Sequence, residues 1–401
     1  AGYLSSGCFG CCCFGVVGVE SMETSTNEVI SEVKKLRQYV SSKKLKIESI
    51  LVTSDIFRID DRSSNQFENP QRVNVDWIYK LIAPVVCSAI GVSRIEKLYG
   101  DEGGFNSLRW KIFSMLELPI EGASWASVYD AVEPEVLSSV LDGKFDKKLV
   151  LGFELSPSLI QYFEDNEIPY IDLTIHPVRF LPDYMFGIRT NVSEWENKIK
   201  SQSLPESLMY DFARVSSART ARIMRGKLPV EESALFLGQL TVDASLISNG
   251  SMMDDEYLAE SLMRLSSAYP KVYFKSHPHC KNQNERKKLV SKIKNCEWID
   301  VNIYDALACE QFSLVTAISS GGVIEAKYFG CNASWMSDKK NVFDLSKESE
   351  MSVYWPIYND SMKSEFWGCV LNDSSLVHIA RDLPNPFEGA LKFNINMKWG
   401  R

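Results

Sequence analysis

Apolar runs of about five residues, each closed by a polar or glycine-bearing turn, recur along this chain and alternate with stretches of helical period. Such runs predict buried strands, and the longer 3.6-period stretches predict helices. Residues 47–55 form the first strand, ending on Asp55, and residues 60–72 a polar loop. Residues 77–90 read as one helix that tolerates Pro84, and residues 94–99 as a short strand before Gly-Asp-Glu-Gly-Gly. Helices follow over 106–117 and 133–141. Residues 148–153 are the clearest strand, ending at Glu154, and Ser156-Pro157 opens a helix to about Asn166. Residues 170–175 are a strand ending in His176-Pro177, and 190–228 are mainly helical. The pattern then restarts, with strands at 234–238, 271–275, 298–301 and 314–318 and helices at 254–269, 283–293, 303–310 and 322–329.

Strand–helix alternation in two blocks predicts an α/β fold of two Rossmann-like domains facing a central cleft, the GT-B-like architecture. The length of 401 residues agrees with two cores rather than one. The expected division is a tail over 1–21, an acceptor-side domain over 22–229, a nucleotide-binding domain over 230–359, and a segment over 360–401 that packs back across both. The tail is apolar, glycine-rich and dense in cysteine (Cys8, Cys11, Cys12, Cys13), without the basic start of a secretory signal. It reads as disordered or left from cloning, with a membrane-adhering or acylated tail as the alternative. Residues 26–45 read as a helix with a basic exposed face.

Composition narrows the function. Charged residues are 24% of the chain and the net charge is −8, which argues against a nucleic-acid partner. The cysteines beyond the tail are scattered, with no zinc-like spacing, as in a reducing compartment. No stretch reads as a spanning helix, so the body is expected in the cytoplasm.

The turns at the strand ends hold the candidate chemistry. Ser319-Ser320-Gly321-Gly322 lies between a strand and a helix, where hydroxyls and free N–H groups suit a phosphate or simply cap the helix. Glu325, one turn on, is placed to accept ribose hydroxyls. Lys275-Ser276-His277-Pro278-His279 also follows a strand. His277 is suited to donate to a phosphate or protonate a leaving group, and Lys275 adds charge; a solvent-facing turn is the plainer reading. Asp243, in Gly238-Gln239-Leu-Thr-Val-Asp243-Ala-Ser245, is a carboxylate suited to act as base, nucleophile or oxocarbenium stabiliser, or else a turn cap. Glu154 would face it from the first domain. His176 and Arg179 are placed to grip an acceptor or a sugar carboxylate. Asp101-Glu102 is a rival acidic loop. No metal site is legible.

The run from Gly238-Gln239 to Asp243-Ala244-Ser245, with Lys275 to Pro278 and Ser319-Ser320-Gly321, resembles the retaining β-Kdo transferases of capsule and lipopolysaccharide synthesis. Kdo is 3-deoxy-D-manno-oct-2-ulosonic acid. The resemblance covers roughly residues 230–330 and extends to the first half only as a general pattern. It implies transfer of β-Kdo from CMP-β-Kdo to a glycan or glycolipid acceptor, without a cofactor or metal, through an adduct on Asp243. It implies phosphate binding by His277, Ser319 and Ser320, with Gln239, Ser245, Lys275, Gly321, Gly322 and Glu325 completing the nucleotide site. Glu154 becomes the acid/base. The partners implied include a membrane-associated assembly at the inner face of the bacterial inner membrane, or further domains of a longer chain. Bacterial sialyltransferases share the His-Pro and Ser-Ser elements. An inverting, CMP-sialic-acid-type transferase with Asp101 or Glu102 as base is therefore the alternative, and a non-catalytic sugar-binding protein is a third reading.

Overall fold

The computed structural model describes residues 45–372, except 64, 66, 221–231, 281, 310 and 311, together with Pro384. The tail over 1–21, nearly all of the helix expected over 26–45, the boundary at 229 and the chain after 372 (bar Pro384) lie outside the described residues. The described residues belong to one compact unit.

Two sheets organise them. The first contains β1 (Ser49–Ser54), β2 (Ile95–Lys97), β3 (Lys148–Phe153), β4 (Tyr170–Ile175) and β5 (Phe186–Thr190). The second contains β6 (Ser233–Leu237), β9 (Lys271–Lys275), β10 (Cys296–Ile299), β11 (Leu314–Ala317) and β12 (Ala333–Trp335). Between β6 and β9 the short strands β7 (Ile247–Ser248) and β8 (Ser251–Met252) form a hairpin. The final strand, β13 (Trp355–Ile357), returns to the first sheet, antiparallel to β5.

The first sheet runs β13-β5-β4-β3-β1-β2, with β1 to β4 parallel. Its strand order reverses between β1 and β3. The second runs β10-β9-β6-β11-β12, all parallel, and reverses between β6 and β11. In open α/β sheets, ligands bind at the carboxyl ends of the strands flanking such a reversal. Each half is therefore a Rossmann-like unit, and the fold is GT-B-like.

Alternation along the strands explains the layers. Ile50 and Val52 pack into one core with helices Arg72–Leu81, Ala83–Ile90 and Ser364–Leu371. Leu51 and Val150 face the other core, with Phe113, Trp125 and Phe163. In the second sheet, Leu235 and Leu237 face one side and Ala234 and Phe236 the other. Both faces are covered, which is why the strands read as continuous apolar runs.

Several elements depart from the sequence reading. The helix expected over 77–90 is two helices, Arg72–Leu81 and Ala83–Ile90, bent by 44°. Pro84 lacks the N–H that a continuous helix needs and its ring crowds the preceding turn, so it sits in the first turn of a new helix instead. Among the described residues no single helix is long and apolar enough to cross a membrane; only this bent pair approaches the required length and composition. Helix Gly122–Tyr129 was not foreseen, because its small residues give little periodicity; its first amide donates to Asp61 from a distant loop. Helix Glu206–Thr220 contributes Met209 and Ala213 to the core of the second sheet. The return to the first sheet begins at β13, ahead of residue 360.

Candidate functional site

At the reversal point of the second sheet, one side chain joins the turn after β6 to the turn after β11. β6 is followed by Gly238, whose amide donates to the Lys275 carbonyl at 2.8 Å. A Cβ on Gly238 would meet the Phe274 ring at 2.8 Å, so glycine permits this approach. The next residue, Gln239, is buried. Its Oε1 accepts from the Ser319 amide at 2.8 Å, and its Nε2 donates to Ser319 Oγ at 3.0 Å and Ser245 Oγ at 3.1 Å. The Gln239 carbonyl accepts from Arg286, which pairs with Asp255 at 3.0 Å. Gln239, Ser245 and Ser319 thus form one bonded cluster.

Asp243 opens the turn before Ser245, its Oδ1 accepting the Ser245 amide at 2.9 Å. Ser320 Oγ accepts from the Gly322 amide at 3.2 Å, and the Trp335 indole donates to the Ser320 carbonyl at 2.8 Å. Ser320 therefore caps its own helix while lying beside the cluster. A Cβ on Gly321 would lie 2.3 Å from Pro177 Cβ, and one on Gly322 2.9 Å from Leu237 Cδ1. Glycine at 321 is what lets this turn touch the His176-Pro177 corner of the first half.

His277 is half-buried, and its Nδ1 accepts the His279 amide at 3.1 Å. The neutral ring then carries its proton on Nε2. Burial, then the neighbouring His279, holds its pKa below the ordinary value; Arg179 and Lys275 act in the same sense and Asp243 opposes them. Lys275 Nζ donates to the Ser276 carbonyl at 3.1 Å. A hollow of about 250 Å³ lies against Lys275, Ser276 and His277, with Trp298 and Asp300 on its wall. A larger hollow of about 370 Å³ by Trp110, Phe113 and Pro119 holds none of these groups and offers only Glu117 as a charge. Of the candidate groups, Lys275 and His277 line the smaller one.

The first half answers at its own reversal point. Asp55 follows β1 in full burial, taking the Trp125 indole at 2.8 Å and the Phe57 amide at 3.0 Å; burial raises its pKa. Glu154 follows β3 with φ 53°, a left-handed conformation that a residue with a side chain adopts at a cost. Its carboxylate accepts from Thr174 Oγ1 at 3.1 Å and Gln71 Nε2 at 3.4 Å, and faces Arg58 Nη1 at 3.7 Å. The side chain is packed among protein groups yet keeps 39% of its accessible surface. That crowding raises the Glu154 pKa; Arg58 opposes the rise, and the charge on Asp243 adds to it. The Asp243 charge, from the second half, is thus near enough to act on Glu154. Arg58 reaches both sides, because its Nη2 donates to the carbonyl of Val242, next to Asp243, at 3.1 Å.

Behind Glu154, fully buried Asp172 takes two bonds from Arg189, at 3.0 and 2.8 Å, and one from Tyr354 at 2.6 Å. This pair fixes β4 against β5.

Other candidate residues lie in different settings. His176 is buried edge-on to Phe343, 5.4 Å between ring centres, and its Nδ1 accepts the Val178 amide at 3.3 Å. Burial pushes its pKa down to about 3, so it is a neutral member of the corner and offers no charge to an anion. Arg179 is exposed beside Tyr184. Glu325, expected to meet a ribose, is buried, its Oε1 taken by the Arg179 amide at 2.8 Å and the Tyr304 hydroxyl at 3.0 Å. The Asp101 carboxylate is buried on the Asn69 amide at 2.6 Å and Arg72 Nε at 2.8 Å, while Glu102 takes the amides of Tyr99 at 2.6 Å and Gly100 at 2.8 Å. Asp101 ties its turn to the start of helix Arg72–Leu81 and Glu102 holds the turn itself, a poor setting for a base.

Two cations went unread in the sequence. One is Arg58. The other is Lys339, whose Nζ donates to the carbonyls of Ala244 and Ile247 and lies 5.3 Å from the Tyr129 ring centre. Burial lowers its pKa, while Asp130 and Asp243 oppose that.

No family model and no curated protein matches the chain. Among solved structures, Thermosulfurimonas dismutans KpsC, described as a beta Kdo 2,7 transferase, aligns with 87% of this chain and 99% of its own at 11% identity, TM-score 0.37. A Thermosulfurimonas dismutans KpsC described as a beta Kdo 2,4 transferase aligns with 55% of this chain and 78% of its own at 15% identity, TM-score 0.32. Methanocaldococcus jannaschii UDP-GlcNAc 2-epimerase aligns with 87% of this chain and 99% of its own at 11% identity, TM-score 0.29.

Proposed function

We propose that this protein is a glycosyltransferase that moves β-Kdo from CMP-β-Kdo to a glycan or glycolipid acceptor with retention, without a metal. The observation that carries the reading is that Arg58, from the first half, faces Glu154 and also bonds to the Val242 carbonyl of the second half, next to Asp243. An Asp243 oxygen attacks the anomeric carbon as its bond to the CMP phosphate breaks, giving a glycosyl ester and free CMP. The Nε2–H of His277 and the hydroxyls of Ser319 and Ser320 donate to the departing phosphate, with Lys275 supplying charge. An acceptor hydroxyl, giving its proton to Glu154, then attacks the same carbon and releases the Asp243 carboxylate. Two inversions give net retention. The raised pKa of Glu154 suits a group that takes up a proton in the second step. A CMP-sugar donor assigns the reaction to the cytoplasm, at the inner membrane face where the acceptor is lipid-linked.

Calorimetric titration with CMP tests the reading. Wild-type protein and Asp243→Asn bind CMP equally. His277→Ala, and the Ser319→Ala/Ser320→Ala double variant, each lose about tenfold or more in affinity, as expected when donors to a charged phosphate are removed. Unchanged affinity in both would remove the phosphate site.

A further inference from the structure

We infer that Arg58 is the receptor for the carboxylate of the donor sugar, and so the residue that selects an acidic sugar over a neutral one; this rests on the acidic-sugar reading above.

Arg58 is held as a prepared site. Its backbone carbonyl accepts from buried Arg109 at 2.8 Å, and its flanking residues Phe57 and Ile59 are buried. Its guanidinium lies over the Trp125 ring, 5.1 Å from the centre, with 20% of the side chain accessible. Trp125 is itself fixed by Asp55. A guanidinium so fixed presents a planar fork that a carboxylate matches bidentately.

Its present contacts leave capacity. The 2.7–3.2 Å range of hydrogen bonds excludes the 3.7 Å approach to Glu154, which is electrostatic only. Nη2 donates to the Val242 carbonyl, and among the described residues no acceptor holds the Nη1 hydrogens.

Its position meets a chemical requirement. In a 2-keto sugar acid the carboxylate is attached to the anomeric carbon itself. Attack by Asp243 on that carbon brings two carboxylates together, and Glu154 adds a third nearby. A cation between them offsets this repulsion, and Arg58 bonds to the residue that precedes Asp243. Of the other nearby candidates, His176 is neutral, Arg189 is buried on Asp172 and Lys339 is on backbone carbonyls, while Arg179 is exposed over the Tyr184 ring, without the burial that fixes Arg58.

The test compares two ligands on CMP-saturated protein by calorimetry: the stable 2-deoxy analogue of Kdo and its C1 amide. Wild-type protein is expected to prefer the carboxylate by about tenfold or more. Arg58→Gln is expected to bring that ratio close to one while leaving CMP affinity unchanged. Arg58→Lys, which keeps the charge without the fork and carries the test if the glutamine variant does not fold, is expected to retain only part of the preference. A merely structural role for Arg58 would weaken both ligands together, and that result overturns the inference. A preference that survives in both variants, or its absence from wild-type protein, overturns it too while leaving the donor reading in place. Binding of CMP but of neither sugar by the wild type would overturn the acidic-sugar reading and this inference with it.

Discussion

Glu325 illustrates how far a single side chain departs from its ordinary chemistry when the fold encloses it. Burial raises its pKa from 4.5 to about 7, against the bonds from the Arg179 amide and the Tyr304 hydroxyl. Between these values the folded protein holds a proton that the unfolded chain has released. Its contribution to stability is therefore complete below pH 4.5, declines as pH rises, and is lost above about pH 7. The full effect is about 3 kcal/mol, and roughly 2 kcal/mol of it falls between pH 5 and pH 8. Urea melts of wild-type protein and Glu325→Gln across this range should converge or cross by that amount, whereas parallel profiles would contradict the assignment. The residues that were legible in the sequence, Gln239, Asp243, His277 and Ser319, announce themselves by local pattern at strand ends. Arg58 does not, because its partner carbonyl is 184 positions away; neither does Lys339, 95 positions from Ala244. Their meaning depends on which loops the fold brings together.

At the scale of elements, legibility followed burial. β3, β4 and β9 are buried runs, and their bounds coincide with those read from the sequence. β5 was missed because it carries Gly187 and a charged Arg189 that the interior accepts only through Asp172. β13 was missed because Pro356 lies within three residues at a sheet edge, where a missing donor is tolerated. Packing of one turn on another is equally invisible in sequence, and Gly321 is the sharpest case. Gly321→Ala would place a methyl 2.3 Å from the rigid Pro177 ring, so the Ser319–Gly322 turn and the corner must separate. The expected cost is about 1–3 kcal/mol of stability, accompanied by loss of CMP affinity. Gly368→Ala, where an added Cβ meets nothing within 4 Å, is the control and should be neutral or slightly stabilising in its helix. Thermal melts and CMP titration of the two variants check this; a Gly321→Ala protein that behaves as wild type would mean the corner yields without consequence.

The described residues join two sheets of different strand order. Several contacts tie the halves. The β7–β8 hairpin packs Ile247 into the first-half core beside Trp125, the stretch after β4 gives Val178, Leu181 and Met185 to the second-half core, and Arg58 bonds to the Val242 carbonyl. A reaction that needs a nucleophile from one half and an acid/base from the other is suited to such a frame, since neither half alone assembles the pair. The central claim is that Asp243 forms a bond to the sugar. The direct measurement is intact-protein mass spectrometry after mixing with CMP-Kdo generated in situ, followed by peptide mapping. The account predicts a mass gain of one Kdo residue on the peptide holding Asp243, absent in Asp243→Asn. Turnover of CMP-Kdo with no adduct at any time point, or with undiminished transfer by Asp243→Asn, would contradict it.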